Sequence, residues 1–260
     1  AVSTLGEQRK YNYALQPMSK QDFIEMVTTD LPEAPQYFVH DAIMNRKERQ
    51  TLSETLSASW KAFSLDEVLE MLNTDTQVID VRDATEFAGA HLKGSINIGL
   101  EGRYATWAGS ILDKHAPILV IAEDEERIEE AIMRLGRIGF DQVKGFLKDG
   151  LNSLKDHPDL VSQTKRISAP AFNELDEKTM IVDIRSQSEW EAGHIEGSVN
   201  IPLTQLQERL NEIPFDQTVI VHCQGGYRSS IAISLLEKQK YENVLDLVGG
   251  YKAWLMTAVT

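Results

Sequence analysis

The chain repeats itself, and this repeat constrains its fold more than any other feature. Val78-Ile-Asp-Val-Arg-Asp-Ala-Thr-Glu-Phe87 returns as Ile181-Val-Asp-Ile-Arg-Ser-Gln-Ser-Glu-Trp190, and His91-Leu-Lys-Gly-Ser-Ile-Asn-Ile98 returns as His194-Ile-Glu-Gly-Ser-Val-Asn-Ile201. Both pairs lie 103 positions apart, and the spacing becomes 101 when residues 118–121 are matched to 219–222. So long a period is typical of two copies of one domain and not of a solenoid. A chain of 260 residues has room for both copies.

Each copy alternates short apolar runs with helical patterns. In the second copy, residues 180–184, 219–222 and 244–248 are short apolar runs, and they predict buried strands. Residues 230–238 place apolar side chains on one helical face, and Ser64-Leu-Asp-Glu67 and Ser186-Gln-Ser-Glu189 have the spacing of a helix capping box. Strands separated by helices predict an α/β fold in each copy, with a mainly parallel sheet flanked by helices.

The repeat also predicts the domain boundaries. We expect a first domain over residues 58–152, a linker over 153–165 and a second domain over 166–260. Residues 155–165 are polar, contain Pro158 and have no clear period, which is typical of a linker. Residues 1–57 match neither copy, and we expect them to form a helical tail.

Charge and composition exclude several classes of partner. A net charge of −14 argues against general affinity for nucleic acid or an anionic membrane. The longest apolar runs are far shorter than the ~18 residues needed to span a bilayer. No basic and apolar leader opens the chain, so the predicted location is the cytoplasm. The six histidines are too scattered for a paired-ligand motif, and we predict no metal site and no cofactor in this chain.

The chain has one cysteine, Cys223, which is either a buried apolar side chain or a reactive thiol. It opens the segment Cys-Gln-Gly-Gly-Tyr-Arg-Ser, between a predicted strand and a predicted helix, where open α/β folds place their ligands. Adjacent glycines let several backbone N–H groups turn inward, and a helix N-terminus favours negative charge. We therefore predict an anionic thiolate or persulfide at Cys223, with Arg228 adding positive charge at the rim.

This loop, the Asp-x-Arg strand end and the segment Gly-His-Ile-x-Gly-Ser-x-Asn-Ile-Pro at 193–202 resemble the rhodanese family over about residues 58–260. The resemblance implies a sulfurtransferase that moves sulfane sulfur from thiosulfate or a low-molecular-weight persulfide to a thiophilic acceptor through a Cys223 persulfide. The implied partners are small-molecule sulfur donors and thiol acceptors, with a sulfur-carrier protein or an oxygenase domain as further candidates. Cys223 is the implied catalytic residue, and the implied substrate-binding residues are Gln224, Gly225, Gly226, Tyr227, Arg228 and Ser229.

The first copy lacks the cysteine of this pattern. Ala122 stands where the second copy has Cys223, and the residues that follow are Glu123-Asp-Glu-Glu-Arg127. This acidic run would repel an anionic substrate, although Arg127 still matches Arg228. We expect the first domain to be catalytically inactive and to buttress the second.

Residues 1–57 resemble the C-terminal tail of a metallo-β-lactamase-fold persulfide dioxygenase. The residues that carry this resemblance are Ser3-Thr-Leu-Gly6, Tyr11-Asn-Tyr-Ala-Leu15, the stretch at 31–38 and Asn45-Arg46. In fusions of that type an iron-bearing oxygenase domain precedes an inactive and then an active rhodanese domain. The His-x-His-x-Asp-His cluster is absent from this sequence, so non-haem iron is expected only in an upstream domain, and we expect this chain to be a fragment. Exposed apolar residues of an orphaned tail would favour a homo-oligomer.

Asp183 and Arg185 end a predicted strand beside Cys223. They could tether the catalytic loop through a charge pair, but Asp80 and Arg82 occupy the same places in the first copy. The structural role is therefore favoured, and we treat both residues as supporting residues.

Other polar residues near the motifs have simpler interpretations. Glu189 is predicted to be the capping-box acid of its helix. His194 has a twin in His91, so we expect it to hold the fold. His222 adjoins Cys223 on a strand, where neighbouring side chains face opposite sides, and we do not expect it to act as the base.

Two features of the sequence allow more than one interpretation. Arg103, Tyr104 and Trp107 lie in a segment that the second copy lacks, and they either cover the neighbouring active site or pack between the domains. Two other functions compete with sulfur transfer, namely a non-catalytic docking module and a cysteine-type phosphatase. The phosphatase is disfavoured, because the active-site loop of those enzymes resembles Cys-x5-Arg, whereas the loop in this chain is Cys-x4-Arg.

Overall fold

The computed structural model describes residues 2–28, 52–172 and 179–257. In the tail, helices α1 (Leu5–Tyr11), α2 (Lys20–Thr28) and α3 (Leu52–Ser59) confirm the predicted helical segment. The capping box of Thr4 and Glu7 starts α1. The stretch at 31–38 and Asn45-Arg46 lie outside the described residues. None of the helices in the described part of the chain has the length and apolar character needed to cross a bilayer.

The first domain is a five-stranded parallel sheet flanked by helices, as predicted. Its strands are ordered β1-β6-β5-β2-β4. They are β1 (Ala62–Phe63), β2 (Gln77–Asp80), β4 (Ile96–Asn97), β5 (Ile118–Ile121) and β6 (Val143–Leu147). The helices are α4 (Leu65–Leu72), α5 (Ala84–Gly89), α6 (Tyr104–Ile111) and α7 (Glu125–Arg137).

The second domain repeats this sheet strand for strand. Its strands are β8 (Arg166–Ile167), β9 (Met180–Asp183), β10 (Val199–Asn200), β11 (Val219–His222) and β12 (Val244–Leu247). They are ordered β8-β12-β11-β9-β10, all parallel. The helices are α8 (Ala169–Phe172), α9 (Gln187–Glu191), α10 (Tyr227–Lys238) and α11 (Gly250–Thr257). The internal repeat in sequence is thus a repeat of topology, and the α/β fold class is confirmed.

The segment predicted to be a linker makes ordered contacts with the first domain. A 3-10 turn at Pro158–Leu160 leads into strand β7 (Val161–Ser162), which pairs antiparallel with β3 (His91–Leu92). A two-residue strand is too short to show a period in sequence, which is why the pattern indicated only a linker. The connection is therefore attached to the first domain before the second sheet begins.

Helix α10 packs its polar face against strand β4 of the first domain. The backbone N–H of Asn97 donates to Ser234 Oγ at 3.1 Å, and Ser230 Oγ donates to Asn97 Oδ1 at 2.6 Å. Near the end of the helix, Glu237 Oε2 lies 3.1 Å from His91 Nε2. The same helix also contacts strands β11 and β12 of its own domain, so it is held from both sides.

Candidate active site

Cys223 lies at the carboxyl end of the second sheet, as the sequence predicts. Strand β11 pairs with β9 on one side and with β12 on the other. All four of its residues are buried. Cys223 follows its last residue and is only 2% exposed. The chain then turns through Gln224, Gly225 and Gly226 and enters α10 at Tyr227.

The sulfur of Cys223 faces the turn. The backbone N–H of Gly226 donates to Sγ at 3.1 Å, and Ser229 Oγ lies 3.8 Å from Sγ. Among the described residues this is the one amide that donates to the sulfur, fewer than the several donors that the sequence predicts. Gly226 has φ of 113°, in the region that glycine alone enters readily, and a Cβ on Gly225 would meet nothing within 4 Å. Gly226 is therefore the glycine whose backbone conformation makes the contact.

A second glycine turn, at Gly249-Gly250, packs against the backbone of the Cys223 loop. The backbone N–H of Tyr251 donates to the carbonyl of Cys223 at 2.8 Å, and that of Lys252 donates to the carbonyl of Gln224 at 3.2 Å. Gly250 precedes them with φ of 58°, and a Cβ there would collide with the Cys223 carbonyl oxygen. Gly249-Gly250 directly follow residues 244–248 in sequence, but no pattern indicates that this pair approaches the Cys223 loop.

Asp183 and Arg185 serve both of the roles considered for them. Arg185 Nη2 lies 2.6 Å from Asp183 Oδ2, and both side chains are buried. The guanidinium also donates to Gln224 Oε1 at 3.2 Å and to the Gly193 carbonyl at 2.7 Å, and it lies 4.0 Å above the Tyr251 ring. The pair fixes the strand end, and through Gln224 it also contacts the Cys223 loop.

The same buried pair occurs in the first domain. Arg82 Nη2 lies 2.6 Å from Asp80 Oδ2 and donates to the Ala90 carbonyl at 2.9 Å. A contact found in the domain without a cysteine serves the fold.

Arg228, which is predicted to add positive charge at the rim, is paired with an acid. Its two terminal nitrogens donate to the two oxygens of Glu189 at 2.6 and 2.7 Å. This guanidinium, together with the Ser186 hydrogen bonds of the capping box, lowers the pKa of Glu189 to about 2. Glu189 is the predicted capping acid, but it also neutralises Arg228. No sequence pattern indicates that pairing, because the two residues are 39 positions apart.

Asp246 is a buried acid near the sulfur that sequence reasoning missed. Ser229 Oγ donates to Asp246 Oδ1 at 2.7 Å, and Arg166 Nε donates to Asp246 Oδ2 at 3.3 Å. Burial raises the pKa of Asp246 above its ordinary value, while the bonds from Ser229 and Arg166 counteract this effect. The signal was available, since a charged residue stands in the middle of an otherwise apolar predicted strand.

Tyr227 turns from the catalytic loop toward the first domain. Its hydroxyl donates to the Gly99 carbonyl at 2.6 Å, and its ring fills the space that a side chain on Gly102 would need. Tyr104 is fully buried, Trp107 is half-buried and Arg103 is exposed. The interdomain contacts of this segment are made by Gly99 and Gly102. Tyr104 instead contacts Ala131 and Arg134 of its own domain.

The histidines near the motifs hold the fold. His91 Nδ1 bonds the Phe87 carbonyl and its ring stacks on Phe87 at 3.8 Å. His194 repeats both contacts with Trp190. His222 is fully buried, burial lowers its pKa, and its Nε2 lies 3.7 Å from Asp183 Oδ2.

In the first domain the corresponding loop is acidic. Ala122 replaces the cysteine, and burial together with a hydrogen bond to Glu86 raises the pKa of the neighbouring Glu123. Asp124 caps α7, and Arg127 pairs with Glu101 at 2.5 Å. Within residues 2–28, 52–172 and 179–257, no group of three histidine, cysteine, aspartate or glutamate side chains is arranged to hold a metal ion.

Comparisons with known proteins agree with this arrangement. The family model described as "Rhodanese-like domain" matches residues 64–157 and 169–257. Over 90 residues the chain is 39% identical to the uncharacterized protein YqhL of Bacillus subtilis, covering 35% of this chain and 71% of the relative. It is 38% identical over 78 residues to a sulfurtransferase of Allochromatium vinosum, covering 30% and 73%. It is 37% identical over 92 residues to the thiosulfate sulfurtransferase GlpE of Pseudoalteromonas translucida, covering 35% and 88%.

Proposed function

Since this chain belongs to the rhodanese-like family, we propose that it transfers sulfane sulfur through a persulfide on Cys223. Relatives named as sulfurtransferases support this activity at the level of the family. The observation that carries the proposal is the 3.1 Å contact from the Gly226 amide to Sγ, since an N–H donor stabilises negative charge on sulfur. The same donor would serve the thiolate and the persulfide that replaces it.

The proposed reaction has two displacements. The Cys223 thiolate attacks the outer sulfur of thiosulfate or of a low-molecular-weight persulfide, and a new S–S bond forms. The S–S bond of the donor breaks, and sulfite or a thiol leaves with its electron pair. A thiophilic acceptor then attacks the terminal sulfur of the persulfide and returns the Cys223 thiolate. Thiol acceptors are the proposed partners, and a curated relative named as a putative sulfur carrier protein supports a sulfur-carrier partner.

The remaining parts of the proposal rest on the sequence. Ala122 at the cysteine position and the acidic loop after it support an inactive first domain that buttresses the second. The resemblance of residues 1–57 supports their assignment as the C-terminal tail of a persulfide dioxygenase. Non-haem iron would then be expected only in an upstream domain. A cytoplasmic location and a homo-oligomer remain predictions.

Intact mass measurement tests the persulfide directly. After incubation with thiosulfate, the protein is expected to gain the mass of one sulfur atom, and cyanide or a thiol should remove it. The Cys223→Ser variant should gain nothing. An unmodified wild-type chain that still folds would contradict the proposal and favour the docking module.

The Arg228–Glu189 pair predicts how donor charge affects the reaction. Glu189→Gln keeps the capping box, which accepts glutamine, but frees the Arg228 charge. We expect the KM for dianionic thiosulfate to fall about threefold to tenfold, since a charge pair near a protein surface contributes on the order of 1 kcal/mol. The gain should be smaller for a monoanionic thiosulfonate.

The matched control is Glu191→Gln, the same change at an exposed position of helix α9. Its KM for thiosulfate should equal that of the wild type. A Glu189→Gln variant with an unchanged or higher KM would show that Arg228 does not attract the donor.

A further inference from the structure

A line of polar groups runs from the sulfur through the second sheet to its edge. Cys223 Sγ lies 3.8 Å from Ser229 Oγ, which lies 2.7 Å from Asp246 Oδ1. Arg166 Nε lies 3.3 Å from the other oxygen of Asp246. Cys223, Ser229 and Asp246 are at most 5% exposed. The line thus joins the catalytic thiol to a buried carboxylate through one hydroxyl.

The first domain shows that the fold does not need this line. In the second sheet Asp246 pairs with Arg166, and at the same place in the first sheet Phe146 pairs with Ala62. The matching loop has Ala122 for Cys223 and Ile128 for Ser229. All four polar positions are therefore apolar in the domain without a cysteine.

The Asp183–Arg185 pair at the strand end, unlike this line, is also found in the first domain. Asp183 and Arg185 are retained as Asp80 and Arg82, with the same bidentate contact. Burying a polar group costs free energy unless it is compensated, so a buried acid and hydroxyl found only beside the thiol indicate a role in its chemistry.

The hydrogen positions along the line follow from the distances. The Ser229 hydroxyl has a single hydrogen to donate. The Asp246 oxygen is at 2.7 Å and the Gly226 carbonyl at 3.0 Å, and a carboxylate is the stronger acceptor. Ser229 therefore donates to Asp246 and presents its lone pairs to Sγ, where it accepts the thiol hydrogen of Cys223.

We propose that Asp246 is a positioning residue that takes up the thiol proton of Cys223 through the hydroxyl of Ser229. The S–H bond breaks and its proton moves to Ser229 Oγ, while the original hydroxyl proton moves to Asp246 Oδ1. The products are the Cys223 thiolate, a neutral Ser229 and a neutral Asp246 carboxyl group. Ser229 then donates to the thiolate, as the Gly226 amide does. This inference rests on the proposed function and deepens it, since it supplies the proton acceptor for the first displacement.

The surroundings suit Asp246 for this exchange. Burial raises the pKa of Asp246 above its ordinary value, and Arg166 on β8 holds the carboxylate so that Oδ1 faces Ser229. Two ion pairs also lie beside the loop, Arg228 with Glu189 and Arg185 with Asp183. His222 is buried, with its pKa lowered.

The pH dependence of Cys223 alkylation by iodoacetamide tests this proposal. A thiol and a carboxyl group that share a proton lose their two protons in two steps, and the singly charged pair contains a fixed fraction of thiolate. The wild-type alkylation rate should therefore rise at low pH, reach a plateau and rise again at high pH. Asp246→Asn should leave one rise, and its rate at pH 6 should fall by at least about tenfold, since proton acceptors typically contribute about 10²–10⁴-fold.

Two further variants complete the experiment. Ser229→Ala removes the hydroxyl between Cys223 and Asp246 and should also lose the low-pH rise. This variant tests the proposal if Asp246→Asn does not fold. Asp156→Asn makes the same change at an exposed position and should keep the wild-type profile. A single rise in the wild type, or a low-pH rise that survives in Asp246→Asn, would overturn the proposal.

This readout separates the inference from the proposed function, because alkylation needs no sulfur donor. Loading of Cys223 by thiosulfate without a two-step alkylation profile would refute the role of Asp246 alone. A two-step profile in a protein that never gains sulfur would refute sulfur transfer alone.

Discussion

Replacement of Gly226 by valine is expected to reduce sulfur loading of Cys223 by at least about a hundredfold, the effect typical of losing one donor that stabilises a developing charge. Gly226 has φ of 113°, which a β-branched residue does not adopt without strain, and its N–H donates to Sγ at 3.1 Å. A valine would rotate the backbone and turn this N–H away. The rate of mass gain with thiosulfate measures the loss.

Gly225 provides the matched comparison. A Cβ at this position meets nothing within 4 Å and requires no left-handed backbone, so Gly225→Ala should lose far less activity than Gly226→Ala. Near-identical thermal unfolding of the two variants would show that the difference lies in the loop. Equal loading rates in Gly225→Ala and Gly226→Ala would contradict the role of the Gly226 amide.

The buried aspartate–arginine pairs predict the largest effects on stability. Asp80→Ala and Asp183→Ala each leave a buried guanidinium without its carboxylate, and each should lower the free energy of unfolding by about 3–5 kcal/mol. Urea denaturation measures both losses. The two values should be similar, because each arginine makes the same contacts with its aspartate and with one backbone carbonyl.

Two controls separate the loss of a charge partner from other causes. Asp183→Ala combined with Arg185→Met should be more stable than Asp183→Ala alone, since no buried charge is left unpaired. Asp66→Ala, at an exposed position, should change stability little. Losses below about 1 kcal/mol in both single variants would show that solvent reaches the guanidinium groups.

Local patterns predicted the parts of the fold that local interactions determine. Residues 219–222 form a strand with the predicted bounds, and both capping boxes start helices. Helix α10 begins at Tyr227, three residues before the apolar pattern at 230–238. Its N-cap residue is Gly226, which has a left-handed backbone and provides no side-chain cap. The sequence offered no capping residue at that point.

The ion pairs around the site were not predictable in the same way. Glu189 and Arg228 are 39 positions apart, and Arg166 and Asp246 are 80 positions apart. Their meeting depends on strand order and on the approach of α9 to the loop, which no period or spacing in the sequence reveals. The position of Cys223 was predictable, because a strand end followed by glycines is a local pattern.

The attachment of α10 to the first domain connects a half that supplies no thiol to the turn that holds the sulfur. Expressed without its neighbour, the second half would expose Ser230 and Ser234 to water and leave the Tyr227 hydroxyl without the Gly99 carbonyl. The start of the helix and the turn that holds the sulfur are a single piece of backbone. We therefore expect mutations on the first-domain surface that receives this helix, far from Cys223, to change the reactivity of the sulfur.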